Sequence, residues 1–516
     1  MISITRYGPQ AVLVRHSDRV TESALERGLA LDAILESKAI AGCVERVPGF
    51  TTLLLRFHGA APASLEALRE HLAVEGGAPA SSPKGSRLIR IPVTYGGSDL
   101  QRVADHAGAR PEEVMEWHRD PTYRVHCLGF APGFPYLGGL DPRLHTPRLS
   151  TPRTLVPAGS VAIGGEHTGI YSVASPGGWN VIGRTPSLLF NPAGESLDDL
   201  FLFRTGDRVR FEPESECRSD ARALDPGLEP GTIPFLRIAA IGMGVTLQDA
   251  GRPGNARFGV PPAGCMDPEL AAVANHLVEN PSGTPVLELG LQGQRFEVLC
   301  DGWLAIGGAR GELPGKSGNA FRVRSGETLR FPPAPTGVWR YLAVPGGWAG
   351  RRLLGSVSGG TRLGSGFALG VGDVLRVSAT ATAQIPDSVA RRTWAIPAGS
   401  VEMAKPFRVW RGPQWDDFPS EALDQFFAAV WTVSSQCDRT GYRLKGDPLP
   451  GPPEPGISEP VLSGSIQVPP DGQPIVTMPD GPTLGGYPKM GWIDAGDRAR
   501  LSQCRSGQAV QFTPAE

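Results

Sequence analysis

The sequence predicts a mainly β protein, with several small β-barrels in tandem behind a small N-terminal α/β domain. Three observations lead there. Gly and Pro, 67 and 50 of 516 residues, interrupt apolar runs instead of gathering in low-complexity tracts, as many short strands joined by tight turns require. Leucines and alanines at helical spacing are concentrated before Val125, after which short strands separated by Gly and Pro continue almost without relief. Four segments, TGDRVRFEP, SGETLRFPP, VGDVLRVSA and SGQAVQFTP, starting at Thr205, Ser325, Val371 and Ser506, repeat a glycine turn feeding a strand, a unit suited to ending successive barrels.

In chain order, residues 1–85 alternate apolar runs such as AVLV and TTLLLRF with helical stretches such as ESALERGLALDAIL and ASLEALREHLAV, which gives the small α/β domain. GGAPASSPKG, Gly76 to Gly85, reads as a linker before the strand LIRIPVTY, and residues 101–118 read as a helix with a start near Pro111. The length exceeds what one core serves, so about three or four domains are expected. The barrels are placed at 88–213, 235–382 and 405–516, divided by polar, proline-rich stretches at about 214–234 and 383–406. YSVASPGGW, ending at Trp179, and YLAVPGGW, ending at Trp348, repeat a strand that runs into a Pro-Gly-Gly turn.

Lys plus Arg is 50 against 52 for Asp plus Glu, so no bulk field draws the chain to nucleic acid or to a membrane surface. The seven cysteines are scattered, with no CxxC or His-rich spacing for a metal site, and read as reduced thiols. MISITRYGPQAVLVRH lacks the pattern of a secretory signal and no apolar run reaches membrane-spanning length, so a cytoplasmic location is expected.

Chemistry concentrates in HRDPTYRVHCLGFAPGFPYLGGL, His118 to Leu140. His118 and His126 suit general acid–base work near neutral pH, and Arg124 suits a carboxylate or phosphate, although Arg124 and His126 alternate as they would on one face of any strand. The rigid GFAPGFPY turn offers Phe130, Pro132, Gly133, Phe134 and Tyr136 as pocket walls, or else as an aromatic plug at a barrel end. Downstream, a glycine-rich stretch from Val156 ends on Arg184, a candidate anion ligand, and its glycines can present backbone N–H groups to an oxyanion or simply turn barrel corners.

Later, TLQDAGRPGNARFGVPPAGCMDPELAAVANHLVENP passes from a loop carrying Gln248, Asp249 and Arg252 into a helix that Asp267 caps with Pro268 at its first position. The stretch Ser463 to Gly491 spreads Gln467, Asp471, Gln473, Asp480, Tyr487 and Lys489 over turns and strand ends, where sites tend to be built. Asp471 and Asp480 each precede Gly, which ordinary turn chemistry also explains. GKS at Gly315 to Ser317 lacks the leading glycine of a phosphate loop, having Arg310 there, and VEMAK from Val401 has the wrong order for biotin attachment.

YRVHCLGFAPGFPYLGGL, TPRTLVPAGSVAIGG and TGIYSVASPGGWNVIGRTP resemble the B component of 5-oxoprolinase, also called KipI. TLQDAGRPGNARFGVPPAGCMDPELA, YLAVPGGW, CDRTGYRLKG and SGSIQVPPDGQPIV with GGYPKMG resemble its C component, or KipA, so the chain reads as a fusion of the two. The resemblance implies cyclophilin-like barrels. It also implies that the two parts use ATP with Mg²⁺ to activate 5-oxoproline by phosphorylating its lactam oxygen, and that a separate A component helps open the ring to L-glutamate. Developing charge on that oxygen points to Arg124, Arg184 or Lys489, and proton transfer to His118 or His126.

The same domains resemble the carboxyltransferase part of urea carboxylase, which makes biotin-dependent carboxyl transfer to an amide the alternative activity. KipI-type inhibition of a sensor histidine kinase is the non-catalytic alternative. His167 stands where that family usually has glutamine, GSVSGGTRLGSGF from Gly355 replaces a longer motif, and DGPTLGGYP departs from the commoner DRQT form, so a different amide or lactam substrate is open. Homo-oligomerisation is left open too.

Overall fold

A computed structural model describes residues 2–62, 64–73, 86–214, 232–308, 320–334, 336–360, 363, 367–378 and 405–515. The 76–85 linker, most of the stretches 214–234 and 383–406, the GKS segment, all of VEMAK but Lys405, and part of GSVSGGTRLGSGF lie outside them.

The N-terminal unit is an antiparallel sheet with the strand order Ser3–Arg6, Ala11–Arg15, Thr52–Phe57, Cys43–Pro48, flanked by helices Glu22–Ser37 and Leu65–Ala73. Val12, Val14, Leu53 and Leu55 pack on Leu31, Leu35, Leu68 and Leu72 of the helices. Ala11, Leu13 and Leu54, on the opposite face, pack with Tyr7 and with Trp492, which comes from the far end of the chain. Both faces are covered, which is why AVLV is apolar without interruption.

Seven strands between Leu88 and Pro213 form a closed barrel. It closes where Arg208–Pro213 runs parallel to Leu88–Tyr95. Residues 101–118 are two helices, not one: Leu100–Ala107 ends at Gly108, whose φ of 62° is the left-handed cap, and Pro111–Arg119 starts afresh with the Glu113 carboxylate accepting the Arg110 N–H at 2.9 Å.

The next region packs two five-stranded sheets around one core that includes Phe235, Leu287, Phe296, Leu342 and Val377. The final region is an eight-stranded sheet whose two edges are Ala509–Val510 and Phe512–Pro514, consecutive in sequence, so the sheet nearly closes on itself. Phe512–Pro514 lies parallel to Phe407–Arg411, the same first-to-last pairing as in the closed barrel.

The four repeated turns share one backbone feature. Gly206, Gly326, Gly372 and Gly507 have φ of 91°, 84°, 96° and 83°, which a side chain rarely tolerates. Three of them feed a region's last strands; the turn at Gly326 feeds Thr328–Arg330, an internal strand beside Gln294–Val298, so the expectation that each ends a barrel fails there. Among the described residues no helix is long and apolar enough to cross a membrane.

Candidate functional site

The strand Tyr123–Leu128 turns Tyr123 and Val125 into the barrel core and leaves Arg124 and His126 on its outer side. That side faces a cleft of about 780 Å³, walled by helix Glu22–Ser37, the turn at Gly49 and Phe50, the barrel's 205–207 turn, and Arg257 and Phe258 from the C-terminal half. Both halves are needed to make it.

Four arginines line the cleft and each has a carboxylate. Arg87 holds Asp207 at 2.5 Å, Arg124 holds Glu22 at 2.9 Å, Arg257 holds Asp32 at 2.7 Å, and Arg204 pairs with Asp198. The acids differ: the side chains of Asp207 and Asp32 are 4% and 12% exposed, whereas Glu22 and Asp198 are 50% and 58% exposed. The exposed pairs are the ones that can exchange a carboxylate for an incoming anion.

His126 is buried, and its Nδ1 has no hydrogen-bond partner. Burial, with Arg124 beside it, pushes its pKa down to about 4, so the imidazole is neutral at pH 7. His16, on the same cleft, is in the same state: buried, with Nδ1 unpartnered, and held to about 4 by burial and then by Arg27 and Arg15. Sequence reasoning missed His16, which follows a strand without any motif around it. Phe50 stacks on His167 at 4.6 Å and 20°, lies 5.8 Å from His126, and meets the edge of Tyr136 at 5.3 Å. His167 is likewise pushed to about 4, first by burial.

Other predicted residues lie elsewhere. His118 is a correction: it is fully buried on its helix, with Nδ1 2.9 Å from the Tyr95 hydroxyl and Nε2 2.9 Å from Thr168 Oγ1, and burial takes its pKa down to about 3. Both ring nitrogens are committed, so it braces the barrel and has no proton to exchange with a ligand. Phe130, Pro132, Gly133 and Phe134 do not wall the cleft either. Their turn is clamped by the C-terminal half, with Gly133 N–H donating to Phe258 O at 2.8 Å, and Phe134 is buried edge-on to Tyr136, Tyr171 and Trp179. The plug describes these aromatics better than the pocket.

Asp249 accepts from Gly251 N, Ser356 Oγ, Ser358 Oγ and Val357 N, while Gln248 and Arg252 donate to carbonyls of Gly359, Leu353, Ser356 and Ser358. These three residues fasten the 353–359 segment; only Gln248 Oε1 and Arg252 Nη1 have no partner. Lys489 is buried and donates to Glu459 at 3.1 Å, and Glu459 also receives Gln414 at 2.8 Å and Arg15 of the N-terminal unit. Glu459 therefore joins two regions, and Lys489, spent on it, is no free cation for the cleft. Gln467 sits opposite Lys489 on the neighbouring strand with its Nε2 unpartnered. Asp471 accepts the Gln473 N–H at 3.1 Å, Gln473 pairs with the Gly446 backbone, and Tyr487 is 41% exposed, so none of the three joins a site. Arg184 lines a separate cavity at the barrel.

The most elaborate charge cluster carried no prediction for its central residue. Arg439 grips Asp480 with two bonds of 2.8 Å and also holds Glu288, which in turn accepts Met266 N–H at 2.7 Å and the Tyr341 hydroxyl at 2.9 Å. It seals the contact between the last two regions.

The family model described as carboxyltransferase domain, subdomain C and D, matches residues 2–199, and that described as subdomain A and B matches 258–514. The chain belongs to the carboxyltransferase-domain family. Within it, the B component of 5-oxoprolinase from Bacillus subtilis (strain 168) is 36% identical over 232 residues, 41% of this chain and 93% of that protein. The C component of 5-oxoprolinase from Escherichia coli (strain K12) is 32% identical over 289 residues, 54% of this chain and 90% of that protein. The crystal structure of TTHA0988 matches with a TM-score of 0.80 and 35% identity, covering 98% of this chain and 99% of that one. A B-like half and a C-like half are thus joined here, and the cleft lies where they meet.

Proposed function

We propose that this chain performs the joined tasks of the B and C components of 5-oxoprolinase, opening a lactam with ATP and Mg²⁺ in the cleft between its halves and acting with a separate A-type component. One observation carries the reading: Arg124 and His126 of the B-like half and Arg257 and Phe258 of the C-like half line a single cleft. Its volume of about 780 Å³ lies within the usual range for sites that take small molecules or cofactors.

The cleft suits a nucleotide. Arg124 and Arg204, whose partners are half exposed, would hold phosphate oxygens, and Glu36 at the rim is exposed. Among the described residues no three His, Cys, Asp or Glu side chains gather to hold a metal ion, so Mg²⁺ would arrive on the phosphates. ATP would supply the phosphoryl group that makes a stable lactam reactive. The protein's part is to exclude water between its halves, to set guanidinium groups against negative charge, and to place the neutral His126 imidazole at the cleft for proton transfer.

The description of the family models favours a second reading, transfer of a carboxyl group to an amide from carboxybiotin on another polypeptide. ADP release by the purified chain with ATP, Mg²⁺ and a candidate A-type component separates the two. The first reading expects 5-oxoproline-dependent turnover that His126→Ala lowers about a hundredfold or more. Folded protein silent with 5-oxoproline but active with urea, bicarbonate and a biotin-bearing partner would establish the second.

A further inference from the structure

The cleft is not the place in this molecule where positive charge is least compensated. A second cavity, of about 440 Å³, opens at the barrel between the strands Leu88–Tyr95 and Asn180–Arg184, and it shares no lining residue with the cleft. Among the described residues two arginines line it, Arg153 and Arg184, and no carboxylate does. Among the described residues, the exposed Arg184 side chain makes no ion pair and no hydrogen bond. That sets it apart from all four cleft arginines.

Arg153 is a fixed donor. Its Nη2 is held by Asp99 Oδ1 at 2.6 Å, while Nη1 is buried without any acceptor. Asp99 cannot serve Nη1 as well, because its other oxygen accepts the Val181 N–H at 2.7 Å and the Ser98 hydroxyl at 3.4 Å. Asp99 fixes the orientation of the Arg153 guanidinium at the cavity wall, so a ligand does not have to order that side chain on arrival. Val156, Pro157 and Val181 give the rest of the lining an apolar character suited to a carbon skeleton.

We propose that this barrel cavity is a second ligand site, taking a small organic molecule through a carboxylate or phosphate oxyanion that Arg184 captures and the prepositioned Arg153 completes. Guanidinium groups are the side chains that match such planar or tetrahedral oxyanions by paired N–H donors. The site stands on its own geometry and survives if the reading of the cleft is wrong.

Calorimetric titration of the full chain with inorganic phosphate, 5-oxoproline and the uncharged lactam 2-pyrrolidinone tests it. Binding of phosphate, or of 5-oxoproline without 2-pyrrolidinone, supports the site when Arg184→Gln weakens it, because the cleft is proposed to take the same anions. In Arg184→Gln, an exposed change that leaves the Asp99 contact intact, that affinity should fall at least tenfold, and Arg184→Lys should restore part of it. The proposal is overturned if neither anion binds, if 2-pyrrolidinone binds as well as 5-oxoproline, or if affinity is unchanged in Arg184→Gln. It is equally overturned if the loss follows His126→Ala instead, which would put the anion in the cleft.

Discussion

In the cleft, His16 and His126 each keep a ring nitrogen without a hydrogen bond, whereas in the C-like half the buried carboxylates of Glu288, Glu459 and Asp480 are each held by two or more donors. Both regions concentrate polar residues in the interior, and a sequence makes them look alike. Complete satisfaction costs a polar group its freedom to engage a ligand. Groups left short of partners beside a cavity retain it. The clusters of the C-like half are therefore joints, and the cleft is where chemistry has room.

The sharpest way to break this contrast is Arg439→Leu, which strands Glu288 and Asp480 in the interior. A loss of about 3–5 kcal/mol is expected in denaturant midpoints, and a loss below about 1 kcal/mol would show that the joint is not one.

Acidification comes next. His16, His118 and His126 have folded pKa values of about 4, 3 and 4, below the unfolded value, so between pH 6.5 and those values the unfolded chain binds more protons. Their contribution to stability is complete above pH 6.5 and declines as pH falls, by about 1.4 kcal/mol per pH unit for each fully buried imidazole. Thermal melts from pH 7 to 5 should show the decline, and a flat profile would place these rings in water.

Two histidine variants sharpen the comparison directly. His118→Ala should cost about 2–3 kcal/mol of stability, by leaving Tyr95 and Thr168 without their shared partner, with activity tracking the folded fraction. His126→Ala, which also empties a packed site, should lower turnover per folded molecule about a hundredfold or more, a loss that the folded fraction from melts does not account for. Lys489→Met should fall between the joint and the surface, at about 1–3 kcal/mol, because Gln414 and Arg15 still hold Glu459. Tyr487→Phe, at an exposed side chain, should stay within about 0.5 kcal/mol by the same melts.

What the sequence determined by itself was local. Alternation put Arg124 and His126 on one face of one strand, Asp267 before a proline marked a helix cap that accepts the Leu270 N–H at 3.1 Å, and repeated glycines marked turns that need positive φ. Tertiary structure decided the rest, because burial and charge pairing belong to segments far apart in the chain. His118 was removed from chemistry by Tyr95 and Thr168, the 130–134 turn by the loop at Phe258, and Lys489 by Glu459, which Arg15 reaches across 444 positions. A strand's two-residue period states which residues share a face, but only the segment that comes to lie against that face settles whether they meet solvent, a partner or a ligand.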